Sequence, residues 1–431
     1  MSTSTARRSS ANHLRLAPLV VSLSAVMLVP GASAQTGVER QRLIDDAARA
    51  RIDSTLSRFV DEGLVAGVSA LVYERGEEVY FGAFGMADRE AGVPMERNTI
   101  VQIFSMTKPV TGVALMQLHE GGLFDLDDPL SRYAPEFANV RVYAGRDSAG
   151  QPVLEPPRRE ITIRDLTRHT AGFAGGADTS YVGRLYAQAD PFDRENTLAD
   201  MARALASVPL VFHPGEQWGY GPSVDVQAYL VEKMAGIPFA EYLRERIFQP
   251  LGMNETRYFV PATDSARFAA MYRRGPDGEL TKAPREESHA FNTREWPLTP
   301  GGWGLTSTID DYMRFALMLQ NEGELDGARI LQPETVRLMT TNQLSDSVTE
   351  RSFLPSKGQV GFGIDFAVRT RPPASPDENP GEVGEFFWDG LASTLFWVDP
   401  RNDLTAVLFV QLVPFDPIGL HRSFRRAVYG P

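Results

Sequence analysis

Strand-forming residues collect at the two ends of this chain and are scarce between them. Gly67 to Tyr73 and Val79 to Phe84 are β-rich runs, and Glu74-Arg75-Gly76-Glu77 between them reads as a hairpin turn. Phe362 to Val368, Ser393 to Val398 and Leu404 to Leu412 form a second group, with Asp399-Pro400-Arg401-Asn402-Asp403 turning between the last two. Residues 105–345 carry mostly helical pattern broken by Gly and Pro. The economical arrangement pairs both groups in one antiparallel five-stranded sheet.

Leu43, Ile44, Ala47, Ala50, Ile52, Leu56 and Phe59 stand at helical spacing within residues 41–62, and Gly63 ends the pattern. A second helix-like segment closes the chain near Gly419 to Tyr429. Helices from both termini then cover one face of the sheet, the middle forms a helical lobe, and a cleft lies between. This is an α/β (α+β) chain with a sheet lobe at about 41–104 and 346–431 and a helical lobe at about 105–345. Tyr143 to Arg159 and Arg369 to Gly384 read as loops, the second carrying Pro372, Pro373, Pro376 and Pro380.

The first 34 residues stand apart. Arg7, Arg8 and Arg15 precede an apolar run from Leu16 to Val29, followed by Pro30-Gly31 and the small triplet Ala32-Ser33-Ala34. A positive start, a short apolar middle and an A-x-A end describe a cleavable signal peptide, cut before Gln35. The run is short for a membrane span. The expected location is therefore periplasmic or secreted, with residues 35–431 as a single domain and no membrane span after cleavage. Cleavage would take the formal charge from −12 to −15, since the leader holds three Arg and no acid. Such acidity argues against nucleic acid as a partner. The chain has no cysteine, so disulfides, thiolate metal sites and a cysteine nucleophile are excluded.

Chemistry enters at residues 104–118, FSMTKPVTGVALMQL. From Met106 the segment reads as an apolar helix starting at Ser105. A serine there has its hydroxyl beside free backbone N–H groups and the positive end of the helix dipole. Lys108 lies on the same face one turn on. Desolvated against Val110 and Leu115, that lysine is suited to take the serine proton. Ser-x-x-Lys alone is a weak pattern, equally the mark of an N-cap and a surface lysine. The chain, however, has 39 Arg and only four Lys: Lys108, Lys233, Lys282 and Lys357. Arg cannot lose its proton, so a retained Lys fits the role of a base. Lys357, in a Ser-Lys-Gly loop, shows that this argument is not decisive.

Four further segments extend the pattern. They are ITIRDLTRHTAGF at 161–173, HPGEQWGYGPSVDVQAYLVEKMAG at 213–236, GGWGLTSTIDDYMRFALML at 301–319 and FFWDGLASTLFWVDP at 386–400. With Ser-x-x-Lys they resemble, in order and spacing, the serine β-lactamase and penicillin-binding protein superfamily, in particular its class C-like family VIII carboxylesterase branch. The resemblance runs from about residue 45 to the end. It implies a β-lactamase/transpeptidase-like fold and makes Tyr220 the second-motif tyrosine, partner of Lys108 and proton relay to the leaving group. It places Trp388-Asp389-Gly390 at the third motif as substrate-binding residues on a strand beside the serine. The N–H groups of Ser105 and Leu391 then form the oxyanion hole.

Two departures bear on substrate. Pro222 stands where penicillin-recognising relatives carry an Asn, and Trp388 stands where they carry a Lys. Asp389 adds a negative charge that is unusual even in the esterase branch. His169 is expected to fix the turn at Thr170-Ala171-Gly172 by hydrogen bonds, and His213 precedes a Pro-Gly turn. No metal or other cofactor is implied. The activity expected is that of an exported serine hydrolase, a carboxylesterase acting on short acyl esters through a Ser105 acyl-enzyme. Alternatives on the same fold are a β-lactamase, a D-amino-acid peptidase or other amide hydrolase, an acyltransferase, and a catalytically silent wall-binding module. The partner is a small-molecule ester or amide substrate.

Overall fold

The computed structural model describes residues 42–430, so the leader expected at residues 1–34 lies outside the described residues. The N-terminal hairpin forms as β1 (Gly67–Glu74) and β2 (Glu77–Asp88). It turns through Arg75 and Gly76 at φ of 55° and 73°, the positive dihedrals that match the twist of the flanking strands. A short β3 (Val93–Pro94) extends that edge. The C-terminal group supplies β4 (Val360–Phe362), β5 (Ala367–Arg369), β6 (Phe386–Asp389), β7 (Leu395–Asp399) and β8 (Leu404–Val410). The sheet order is β4-β5-β6-β7-β8-β1-β2-β3, antiparallel throughout. The chain ends meet at β1 against β8, with Ala70 opposite Leu408.

The sheet is of the expected type but has eight strands, not five. Phe362 to Val368 is not one strand. Gly363 N–H donates to Phe366 and Asp365 sits at φ 60° with its N–H on Thr167, so the run folds into the β4–β5 hairpin. A left-handed residue inside an apolar run breaks the extended chain that composition alone suggests. Part of the Tyr143–Arg159 loop is likewise a small hairpin, Val142–Arg146 with Pro152–Glu155. Arg369 to Gly384 remains irregular beyond the end of β5.

Helices α1 (Asp46–Asp61) and α5 (Leu420–Tyr429) pack together on one face. Between them in sequence come α2 (Thr107–Glu120), α3 (Ser223–Ala235) and α4 (Ile309–Gln320). Neighbouring residues of β7 show how both faces are covered. Trp397 meets Phe424 of α5 at 5.4 Å between ring centroids, and Phe396 meets Tyr312 of α4 at 5.1 Å. Every residue of β8 is accordingly buried, which is why that strand reads as a continuous apolar run. Among the described residues no helix is long and apolar enough to cross a membrane.

One buried ionic cluster ties this layer together. Glu385 accepts from Arg369 Nε at 2.9 Å, from Arg425 Nη1 at 2.9 Å and from the Tyr429 hydroxyl at 3.3 Å. All three charged side chains are at most 1% exposed. Removing the carboxylate leaves two guanidinium groups buried without their counter-charge. Glu385→Ala is expected to cost about 3–5 kcal/mol, read as a lower urea midpoint at unchanged slope.

Candidate active site

Ser105 lies in a single 3-10 turn, Phe104–Met106, that leads into α2 at Thr107. The regular helix thus starts two residues later than the apolar pattern suggests. Phe104 is held at φ 45°, a left-handed conformation costing a bulky residue about 1–3 kcal/mol. The surroundings enforce it: Tyr312 Oη donates to Met106 O at 2.8 Å and Ile103 N–H to Leu305 O at 3.1 Å.

Lys108 is buried, and its Nζ donates to Ser105 Oγ at 3.2 Å and to Gly302 O at 2.6 Å. It also lies 4.6 Å from the centroid of the Tyr220 ring. Segment 301–305 is lashed along α2 by two more bonds. Thr111 Oγ1 donates to Gly301 O at 2.7 Å, and Leu305 N–H donates to Thr107 Oγ1 at 3.4 Å. The lysine therefore reaches the serine as one bond of a ladder. Among the described residues no carboxylate lies within ion-pair distance of Nζ.

Tyr220 is positioned by the 169–172 turn, whose His169 O accepts from Gly219 N–H at 2.9 Å and Thr170 O from Gly215 N–H at 2.8 Å. The Tyr220 ring sits among Trp218, Phe353 and Trp388, and Trp388 Nε1 donates to its hydroxyl at 3.4 Å. The His169 backbone does the turn-fixing expected of its side chain. The imidazole instead packs against Trp218, Tyr220 and Phe362 with neither ring nitrogen hydrogen-bonded. Burial, aided by the Lys108 charge, pushes its pKa well below the usual histidine value. His213 bonds Glu155 through Nε2 at 2.9 Å.

The end of β6 comes beside the serine turn. A Cβ on Gly390 would stand 2.5 Å from Ile103 O, so only glycine lets the strand end approach so closely. Beyond it Leu391 is exposed, and its N–H has no backbone acceptor among the described residues. Trp388 is buried as an aromatic wall. Asp389 does not put a free charge into the cleft. It is buried and bonds the ammonium of Lys357, which the Phe353, Trp388 and Phe415 rings surround at 5.7, 5.4 and 4.1 Å. Lys357 was thus the residue missed, and its rarity in an Arg-rich chain was the available signal.

Asp225 was missed as well. It lies in the first turn of α3, five residues after Tyr220, and accepts from Gly302 N–H at 2.8 Å. One residue, Gly302, therefore bonds Asp225 through its N–H and Lys108 through its carbonyl. Burial pushes the Asp225 pKa up to about 6, against the opposing pull of the Lys108 charge. Asp365, bonded by Gln227 Nε2 at 3.1 Å, is pushed well above the carboxylate range, again by burial.

A serine and lysine at the mouth of an apolar helix, an aromatic-walled tyrosine and a glycine-ended strand beside them define the serine hydrolases of β-lactamase/transpeptidase-like fold. The chain belongs to the Beta-lactamase family, whose sequence profile matches residues 52–429. Esterase EstB of Burkholderia gladioli is 31% identical over 403 residues, covering 88% of this chain and 95% of EstB. The structure of simvastatin synthase (LovD) from Aspergillus terreus superposes with a TM-score of 0.75 at 25% identity, covering 89% of this chain and 98% of LovD. EstCE1, described as a hydrolase with promiscuous acyltransferase activity, gives 0.71 at 26% identity, with 89% and 99% covered.

Two outcomes follow. If Lys108 is the base, Lys108→Arg keeps the charge but cannot accept a proton, and steady-state turnover should fall at least about a hundredfold; partial rescue would leave Lys108 a mere charge. Asp225 makes stability depend on pH. Its folded pKa of about 6 exceeds the ordinary 3.8, so between those values the folded state holds a proton that the unfolded chain has released. Stability then falls as pH rises through that window, by up to about 3 kcal/mol. Urea titrations at pH 4 and pH 7.5 should show Asp225→Asn gaining on the wild type at the higher pH.

Proposed function

We propose that this protein is an exported carboxylesterase that cleaves neutral esters of short acids through an acyl-enzyme at Ser105. The observation that carries the reading is the Ser105–Lys108 contact at 3.2 Å, made by a buried lysine that has a carbonyl and no carboxylate as its other partner. Ser105 Oγ attacks the ester carbonyl and its proton passes to Lys108 Nζ. The oxyanion is held by the Ser105 and Leu391 N–H groups. As the C–O bond breaks, the proton goes to the leaving alkoxide through Lys108 and Tyr220. Water then attacks the acyl carbonyl, giving the acid and free Ser105.

Substrate class rests on the third motif. Trp388 offers an indole face where a cation would meet a substrate carboxylate, and the Lys357 ammonium beside that ring is already neutralised by Asp389. Pro222 supplies no side-chain amide. Neutral esters need none of these contacts. Acyl transfer to an alcohol is a second reading, favoured by the aromatic wall of Trp218, Tyr220, Phe353 and Trp388, which limits water at the acyl-enzyme. Export rests on the leader pattern.

On one preparation, kcat/KM for a p-nitrophenyl butyrate should exceed that for a chromogenic cephalosporin, and Ser105→Ala should lose both turnover and fluorophosphonate labelling. A cephalosporin value equal to or above the ester value would replace the esterase reading with a lactamase one.

A further inference from the structure

Lys357 and Asp389 form an ion pair at the third motif whose side chains are only 7% and 9% exposed. Taking two charges out of water costs about as much as their attraction returns, so such a pair adds little stability over apolar residues of similar volume. What it supplies is direction, and each partner adjoins a residue that touches Tyr220. Asp389 follows Trp388 on β6, and Trp388 Nε1 donates to Tyr220 Oη at 3.4 Å. Lys357 closes a 3-10 turn, Leu354–Lys357, that starts directly after Phe353.

Segment 350–357 is tied to the site at both ends. Glu350 O accepts from the N–H of Trp218, two residues before Tyr220, at 2.8 Å. Lys357 bonds Asp389. Between these ties Phe353 stands edge-on to Trp218 and Tyr220, at 5.3 and 5.2 Å between ring centroids, although it is itself exposed. Leu354 and Lys357 are the buried residues of the turn, so they hold Phe353 over the tyrosine. The pair holds the strand as well. β5 pairs with β6 only at Phe386 and Phe387, whereas β7 accompanies β6 through Asp389. Beyond Phe387 the strand end lacks its β5 partner, and the bond from Lys357 is a second hold on it.

We propose that the Lys357–Asp389 pair is a positioning device for the proton step: it holds Phe353 and Trp388 on Tyr220, so that the Trp388 N–H bonds the tyrosine oxygen while that oxygen protonates the leaving alkoxide. The proposal rests on the reading of Tyr220 as the relay. Once Ser105 Oγ has attacked, its proton is on Lys108 Nζ. When the C–O bond to the leaving group breaks, the alkoxide oxygen takes the Tyr220 hydroxyl proton and Tyr220 Oη takes the proton from Nζ. Lys108 and Tyr220 both end neutral. A hydrogen bond donated to Oη steadies the negative charge that this oxygen carries during the exchange. The relay counts in proportion to the basicity of the leaving group: p-nitrophenolate departs unprotonated, whereas ethoxide must be protonated as it leaves.

The test is a series of butyrate esters with p-nitrophenyl, phenyl, trifluoroethyl and ethyl leaving groups, read as kcat/KM, which reports acylation alone. It is run on the wild type and on Lys357→Met/Asp389→Leu, which removes both charges together and should melt no lower than the wild type. The double variant should keep most of its activity on the p-nitrophenyl ester and lose at least about tenfold more on the ethyl ester, part of the hundredfold or more that a placed general acid supplies. Trp388→Phe, which keeps an aromatic ring but has no N–H, should show the same steepened dependence on the leaving group, and it decides the matter if the double variant fails to fold or to turn over. Losses equal across the four esters, or a wild type already as steep as the variants, overturn the positioning role and leave the esterase reading intact. If no ester turns over and fluorophosphonate leaves Ser105 of the wild type unlabelled, the esterase reading itself fails and the positioning role falls with it.

Discussion

The bond from Lys108 Nζ to the Gly302 carbonyl, 2.6 Å long, is the contact on which the rest of the site depends. A buried lysine head group needs polar partners, and burying it without them is costly. Here one partner is the Ser105 hydroxyl and the other is a backbone carbonyl from a segment nearly two hundred residues away. That carbonyl is in place because its own segment is bonded to α2 through Thr107 and Thr111, and to α3 through Asp225. The same ladder holds segment 301–305 along the helix that carries the lysine. The placing of Lys108 beside Ser105 is a consequence of one strand-like segment docking along one helix.

Charge in this cleft is arranged by pairing. Asp389 and Lys357 cancel at the edge of the third motif, enclosed by aromatic rings that lower the local dielectric and strengthen the pair. Behind α2, Asp225 and Asp365 are shifted toward their neutral forms by burial. The surfaces that face a substrate are then aromatic, which suits recognition by shape. Asp389 therefore presents no free negative charge here, and Lys357 no free positive one.

The aromatic cluster does two jobs. Trp218, Tyr220, Phe353 and Trp388 hold the second-motif tyrosine against the lysine and keep water from one side of it. His169 belongs to this cluster, although its residue type suggests a polar role. A fully enclosed imidazole pressed by a nearby cation stays neutral and packs as an aromatic ring.

Much of the fold and the candidate site was legible in the chain itself. Alternation and β-branched composition located the N-terminal hairpin and β7 and β8, because strand character is written in neighbours two apart. Ser105 and Lys108 were legible because a helix brings residues three apart onto one face. Tyr220 and the third motif were legible only as family pattern. Tertiary structure alone decided the rest. The β4–β5 hairpin depends on Asp365 bonding Thr167, and the charge of Asp389 is balanced by a lysine 32 residues upstream. The link from Asp225 to Lys108 passes through Gly302, a residue of a third segment, and local pattern never relates the three. Periodicity reports which way a side chain faces, whereas the partner it meets is set by long-range packing, and in this protein those partners determine charge and strain.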